Sequence, residues 1–189
     1  LLSMSGAFLL IFPVALLLDA MTRWLHPEKW YLPLHYAAGH EPLVVGVVSV
    51  GFALIVVGLT GVLKAGRHSR LATSGLYASL RHPQHLGIIL WTLGFALWGA
   101  SPVDIILWFA VSYVFVCLGI HEEGSLVERF GSEYEAYRSR VLFMPPFLLV
   151  RGPVLSHGGS GKEVAVMVVV FIAGIAAIMG MFYVVAVPA

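Results

Sequence analysis

Six residues carry the chemistry this sequence can offer. Arg81, His82, Gln84 and His85 lie together in the run Arg81-His82-Pro83-Gln84-His85, and Glu122-Glu123 follow about 40 positions later. Arginine, histidine and glutamine donate hydrogen bonds, and carboxylates accept them strongly from cations and hydroxyls. Brought together, they would form a compact polar cluster, which is the candidate site. Between them lie two apolar runs, Leu86–Ala100 and Val103–Ile120, separated by Ser101-Pro102. Read as a helical hairpin over about 83–120, this segment crosses a membrane and returns. Both polar ends then lie on one side and become neighbours.

The turn of that hairpin has its own signals. Ser101 suits an N-cap, Pro102 the first helical position, and Asp104 reaches back from the third. Pro83 likewise suits a helix start, where its missing N–H is not needed. A 15-residue run from 86 spans only about 22 Å of helix, so this helix is expected to continue back through His82–His85.

The composition fits a polytopic membrane protein. The chain has 189 residues, of which 59% are hydrophobic and 11% charged. Its mean hydropathy is +0.91. A soluble domain carries about 25% charged residues. A formal net charge of +1 offers nothing to nucleic acid. The single cysteine, Cys117, lies in an apolar run, where it is expected to act as a small buried hydrophobe. The chain starts at Leu1 rather than methionine and is expected to be part of a longer sequence; residues 7–18 lack the flanks of a signal peptide.

Hydropathy predicts an all-α fold with about five transmembrane helices: Met4–Met21, Leu43–Leu63, the two arms of the hairpin, and an additional C-terminal helix over 164–188. The domain reading is one membrane domain, 1–189, with a catalytic core over 64–147 and a Gly/Ser linker over 156–163. The connections 64–85 and 121–163 hold nine of the eleven Lys and Arg, against two in 22–42. The positive-inside rule puts those two connections in the cytoplasm. Leu126, Phe130, Tyr134, Tyr137 and Val141 recur at helical spacing, which predicts two short amphipathic helices on the cytoplasmic surface. Ser132 to Glu135 read as a second capping box.

Each polar group also has a plainer reading. His26, His35, His40 and His157 fall in polar connections and read as solvated. His82, His85 and His121 raise the question of a metal or haem. The sequence lacks the HxxxH or HxxHH clusters of membrane di-iron enzymes, and no span holds two histidines. No metal ligand is therefore assigned. Glu122 and Glu123 could be a solvated helix end with Arg81 as a structural partner, or could hold a cationic ligand. Tyr77 could belong to an interfacial aromatic belt.

The ordered set Thr73-Ser74-Gly75-Leu76-Tyr77, Arg81-His82-Pro83, Gly87, Glu122-Glu123, Phe130-Gly131, Tyr134, Tyr137 and Arg140-Val141 resembles the isoprenylcysteine carboxyl methyltransferase family, a group that extends to membrane phospholipid methyltransferases. The resemblance covers residues 69–147. It implies a membrane-embedded methyltransferase that uses S-adenosylmethionine without a Rossmann domain; no GxGxxG loop occurs in this chain. It further implies that Ser69, Arg70, Leu71, Ala72, Tyr77, His82, Pro83, Gln84, His85 and Glu122 bind that cofactor. Two positions depart from the family. His85 stands where tyrosine is usual. Leu118 stands where prenylcysteine enzymes carry an arginine for the substrate carboxylate, which leaves a carboxylate, an amine or a thiol open as acceptor.

The expectation is a multi-pass methyltransferase of the cell membrane, with its site on the cytoplasmic side and a lipophilic acceptor drawn from the bilayer. A scaffold that keeps the fold without activity, and a histidine-ligated redox protein, are the rival readings.

Overall fold

The computed structural model describes residues 40–99, 101–144, 166, 169–178 and 180. The expected first span, Met4–Met21, the linker and parts of the expected last span lie outside the described residues. Among those described, the architecture is helical, without named strands.

Helix α1, His40–Arg67, is 28 residues long, about 42 Å at 1.5 Å per residue. It exceeds the expected 43–63 at both ends, with Glu41 in its first turn and Lys64 and Arg67 in its last. These charges complement the helix dipole. Leu43, Val45, Val50, Phe52, Val56, Val57 and Leu59 remain exposed. Such an apolar outer face suits hydrocarbon better than water.

Helix α2, Pro83–Gly99, takes in Gln84 and His85 of the expected extension, but starts at Pro83 and leaves His82 just before it. It runs antiparallel to α1 across a seam of small residues. A Cβ on Gly51 would meet the Trp91 backbone nitrogen at 2.5 Å, and one on Gly87 would meet the Gly51 carbonyl oxygen at 2.8 Å. Only glycine permits this approach of two backbones.

Helix α3, Pro102–Phe130, begins with the expected capping box. The Ser101 hydroxyl accepts from the Asp104 N–H at 3.2 Å, and the Asp104 carboxylate accepts from the Ser101 N–H at 3.1 Å. The α2–α3 hairpin is tied further along by Trp108, whose indole N–H donates to the Ile89 carbonyl at 3.0 Å. Helices α1 and Val103–Phe130 of α3 are long and apolar enough to cross a membrane.

The region after 120 differs from expectation. No separate surface helix starts there. Nothing between Val103 and Phe130 breaks an α-helix, so α3 runs straight through Glu122 and Glu123 to Phe130. The break comes at Gly131, whose φ of 53° suits glycine. Helix α4, Ser132–Arg138, follows. Gly131 rather than Ser132 is its N-cap, with no side-chain cap, so the second capping box does not form. The amphipathic stripe does assemble: Tyr134, Tyr137 and Val141 are buried together, with Leu126, Phe130 and Leu71 packed against them.

The chain then returns beside the start of α2. Leu80 and Leu142 form a parallel bridge, and the Arg81 N–H donates to the Leu142 carbonyl at 2.9 Å. Phe143 and Met144 are thereby sunk into the core with Leu86, Ile89, Val111 and Phe115. A last apolar helix, α5, Val169–Ile178, sets Phe171 against Phe109 and Tyr113 of α3.

Candidate active site

The site lies where the end of α1, the connection 68–82, the start of α2 and the inner part of α3 meet. A short 3-10 turn, Gly75–Ala78, places Tyr77. Its hydroxyl lies 2.6 Å from Gln84 Oε1 and 3.1 Å from the Gly58 carbonyl oxygen, and its own carbonyl accepts from the Tyr137 hydroxyl at 2.7 Å. Four segments are pinned on one aromatic residue. Because the Gln84 carbonyl is taken up this way, its amide N–H groups remain for a ligand.

The two adjacent glutamates separate. Glu123 is buried and accepts from the Arg81 guanidinium at 2.5 Å, while Arg81 also lies over the Phe143 ring. Arg81 is thus the partner of Glu123, not of Glu122, because the turn of α3 carries the second carboxylate into the protein and leaves the first at the cavity. Glu122 instead faces both histidines: its Oε2 is 3.5 Å from His82 Nδ1 and 3.6 Å from His85 Nε2. The two imidazoles lie parallel, with ring centroids 5.2 Å apart. Burial alone would pull the His82 pKa down. The facing carboxylates of Glu122 and Glu123 outweigh burial and hold it above the ordinary histidine value. Burial pushes the phenols of Tyr77, Tyr134 and Tyr137 up, so they stay neutral.

Beside Glu122 opens a cavity of about 680 Å³. Of the residues expected to bind the cofactor or acceptor, Arg70, Leu71, Ala72, Tyr77, His82, Gln84, Leu118 and Glu122 line it. Three do not. Ser69 is exposed at φ 51°, where it turns the chain after α1. Pro83 and His85 are fully buried behind the wall, and His85 packs on Phe115.

The sequence reading missed the wall supplied by α1, namely Val62, Leu63, Ala65, Gly66 and Arg67. Nothing in those residue types sets them apart from any helix end. It also missed Ser125 and Arg129, which line the cavity with Leu118 and Glu122. Here a signal existed: 118, 122, 125 and 129 are spaced 4, 3 and 4, one face of a continuous helix. Ending the helix at 120 hid it. Among the described lining residues Glu122 is the only carboxylate, whereas Arg67, Arg70, Arg81 and Arg129 are cationic.

The sequence profile of the phospholipid methyltransferase family matches residues 34–133. Curated relatives include protein-S-isoprenylcysteine O-methyltransferase B of Arabidopsis thaliana, 31% identical over 115 residues, which are 58% of this chain and 58% of that protein. The protein-S-isoprenylcysteine O-methyltransferase of Schizosaccharomyces pombe is 37% identical over 79 residues, 41% of this chain and 34% of that protein. A probable enzyme of the same name from Oryza sativa subsp. indica is 29% identical over 150 residues, covering 76% of this chain and 78% of its own length. The chain thus spans less than two thirds of the Arabidopsis and fission-yeast proteins. No solved structure matches. The profile takes in more than half of the chain and contains both polar segments that meet at the cavity, so this chain belongs to the phospholipid methyltransferase family.

Proposed function

We propose that this protein is an S-adenosylmethionine-dependent methyltransferase acting on a lipophilic acceptor at a membrane. The observation that carries this reading is a cavity walled by Ala72, Tyr77, His82 and Gln84 from one segment and by Leu118 and Glu122 from another. Its volume lies within the roughly 300–1,000 Å³ of small-molecule sites. The family match and the relatives' names support the same reaction class.

The donor set fits the cofactor. Glu122 can accept from an ammonium or from ribose hydroxyls. The Gln84 amide, oriented by Tyr77, can donate to polar groups of the ligand. The Tyr77 ring supplies a π surface for an adenine or a cation. His82 and the backbone of Arg70 to Ala72 complete the binding set, with Ser69, Pro83 and His85 supporting it from behind the wall. When bound, S-adenosylmethionine supplies an electrophilic sulfonium methyl for in-line transfer to the acceptor. Val62, Leu63 and Leu118 give part of the cavity wall a hydrocarbon surface, against which a bound ligand sheds part of its water. Positioning and desolvation carry the catalysis. No general base is assigned, because a carboxylate or thiolate acceptor needs none.

The acceptor enters from the bilayer. Leu118 cannot pair with a carboxylate. Arg129, exposed on the same wall, is the cation we assign to an acidic acceptor, since Arg81 is bound to Glu123. The chain crosses the cell membrane about five times, with residues 64–85 and 121–163 on the cytoplasmic side and the last helix an addition to the catalytic core. The short helix α4 lies on that cytoplasmic surface.

Two measurements test the proposal. Calorimetric titration with S-adenosylmethionine should show saturable binding by the purified protein; no binding would sink it. Transfer of radiolabelled methyl to N-acetyl farnesylcysteine, lipid amines and lipid thiols should identify the acceptor. Activity on farnesylcysteine that is unchanged by Arg129→Ala would reject the role given to Arg129. For topology, a cysteine at Ser139 should resist an impermeant label in sealed, oriented vesicles, whereas one at His35 should react.

A further inference from the structure

In the sequence the histidines to group are His82, His85 and His121, and their spacing matches no common metal motif. The fold changes the third member. His121 is exposed, and Glu122 stands between the two buried imidazoles. One donor atom from each of His82, His85 and Glu122 lies within 4.8 Å of the others. The two carboxylate–imidazole distances, 3.5 and 3.6 Å, are close to the donor–donor edge of a tetrahedral site, about 3.3 Å for metal–ligand bonds of about 2.0–2.1 Å.

A second observation points the same way. His85 is fully buried, and neither of its ring nitrogens has a hydrogen-bond partner. A neutral imidazole carries one donor and one acceptor, and buried polar atoms left unmatched need an explanation. The ligand proposed above does not supply it, because His85 does not line the cavity. The surroundings are apolar: Phe143 packs on His82 and Phe115 on His85. Gly119 leaves both rings room, since a Cβ there would meet His85 Nδ1 at 3.2 Å.

We propose that His82, His85 and Glu122 bind one divalent transition-metal ion of the zinc class just behind the cavity wall, where Glu122 faces the two buried imidazoles. Two imidazoles and one carboxylate select zinc, cobalt or nickel over magnesium or calcium, which take oxygen ligands. Three protein ligands leave a fourth position for water or a ligand group. Donation by both rings turns at least one out of the parallel stack about its χ2, a torsion with a broad energy well. The ion takes up one of the two unmatched ring nitrogens of His85 and fixes the Glu122 carboxylate. The inference deepens the methyltransferase reading, because the ion shares Glu122 and His82 with the cofactor site.

The test uses the whole chain in detergent micelles, stripped of metal by a chelator and titrated with Co²⁺. The expected result is a visible d–d band that saturates at one equivalent and is lost on adding Zn²⁺. His85→Asn and Glu122→Gln should each abolish the band, whereas His121→Ala should keep it. Glu122 is partly exposed, so its variant remains informative if the buried His85 change prevents folding. No band from folded parent protein, or a band that survives Glu122→Gln, overturns the proposal. Calorimetry with S-adenosylmethionine on the same stripped sample separates the two readings. Cofactor binding without a cobalt band would overturn the ion and leave the enzyme, and a cobalt band without cofactor binding would do the reverse.

Discussion

Glu122 and Glu123 are neighbours in the chain and belong to two different regions. Glu123 sits in a sealed layer with Arg81 and Phe143, where both charged side chains are almost fully buried. Glu122 sits at the edge of an open cavity with His82 and Gln84. One step along an α-helix turns a side chain by about 100°. That step separates a structural ion pair from a ligand-facing carboxylate. A charge in the sealed layer depends on partners held in place, because removing the closest strands a buried ion. A charge at the cavity can exchange water for ligand at smaller cost. Identical side chains therefore predict different phenotypes.

The largest effect should come from the sealed layer. Glu123→Gln is expected to destabilise the protein by about 3–5 kcal/mol, the usual cost of breaking a buried pair from one side. Unfolding in detergent measures this. The double change Arg81→Met/Glu123→Leu should recover much of the loss, and failure to recover would show that the layer needs its charges for more than each other.

At the cavity, Glu122→Gln should leave stability nearly unchanged. Under the proposed function it weakens S-adenosylmethionine binding by about 1.5–3 kcal/mol, or about 10- to 150-fold. Equal, small effects from the two glutamate changes would erase the contrast between the regions.

The α1–α2 seam behaves as the sealed layer does, without charge. Gly51→Ala forces a methyl against the Trp91 backbone and should cost about 1–3 kcal/mol of stability. Unfolding in detergent measures this loss as well.

The smallest effect belongs to the residue that joins the two regions. Tyr77→Phe removes the hydroxyl shared between Gln84 and Gly58 while keeping the ring and the carbonyl that Tyr137 uses. A loss of about 1 kcal/mol in stability is expected, together with a modest rise in the cofactor dissociation constant as Gln84 loses its orientation. An unchanged dissociation constant would mean that Gln84 does not meet the cofactor.

Much of this was written locally. Ser101, Pro102 and Asp104 form a helix start from their own side chains, so their reading needed no neighbour. Pro83 opened α2 for the same reason. The hairpin arithmetic, two apolar arms of similar length, was enough to bring Arg81 and His82 to Glu122 and Glu123. Other features depend on contacts that residue types do not encode. Which glutamate meets Arg81 is set by the rotation of α3 against α2, and that rotation is fixed by packing. The cavity wall from α1 arises because Gly51 and Gly87 let two backbones touch, and the sequence shows only that both are glycine. In the sequence the change from apolar to polar at His121 reads as a helix end, yet α3 continues past it. Polarity marks where a helix leaves an apolar environment; a helix ends where its backbone is broken, here at Gly131. The chain alone thus determined which residues could do chemistry and which ends of the hairpin they share. The tertiary structure decided which of them face a ligand, because that depends on the angle and closeness of helices that meet far apart in sequence.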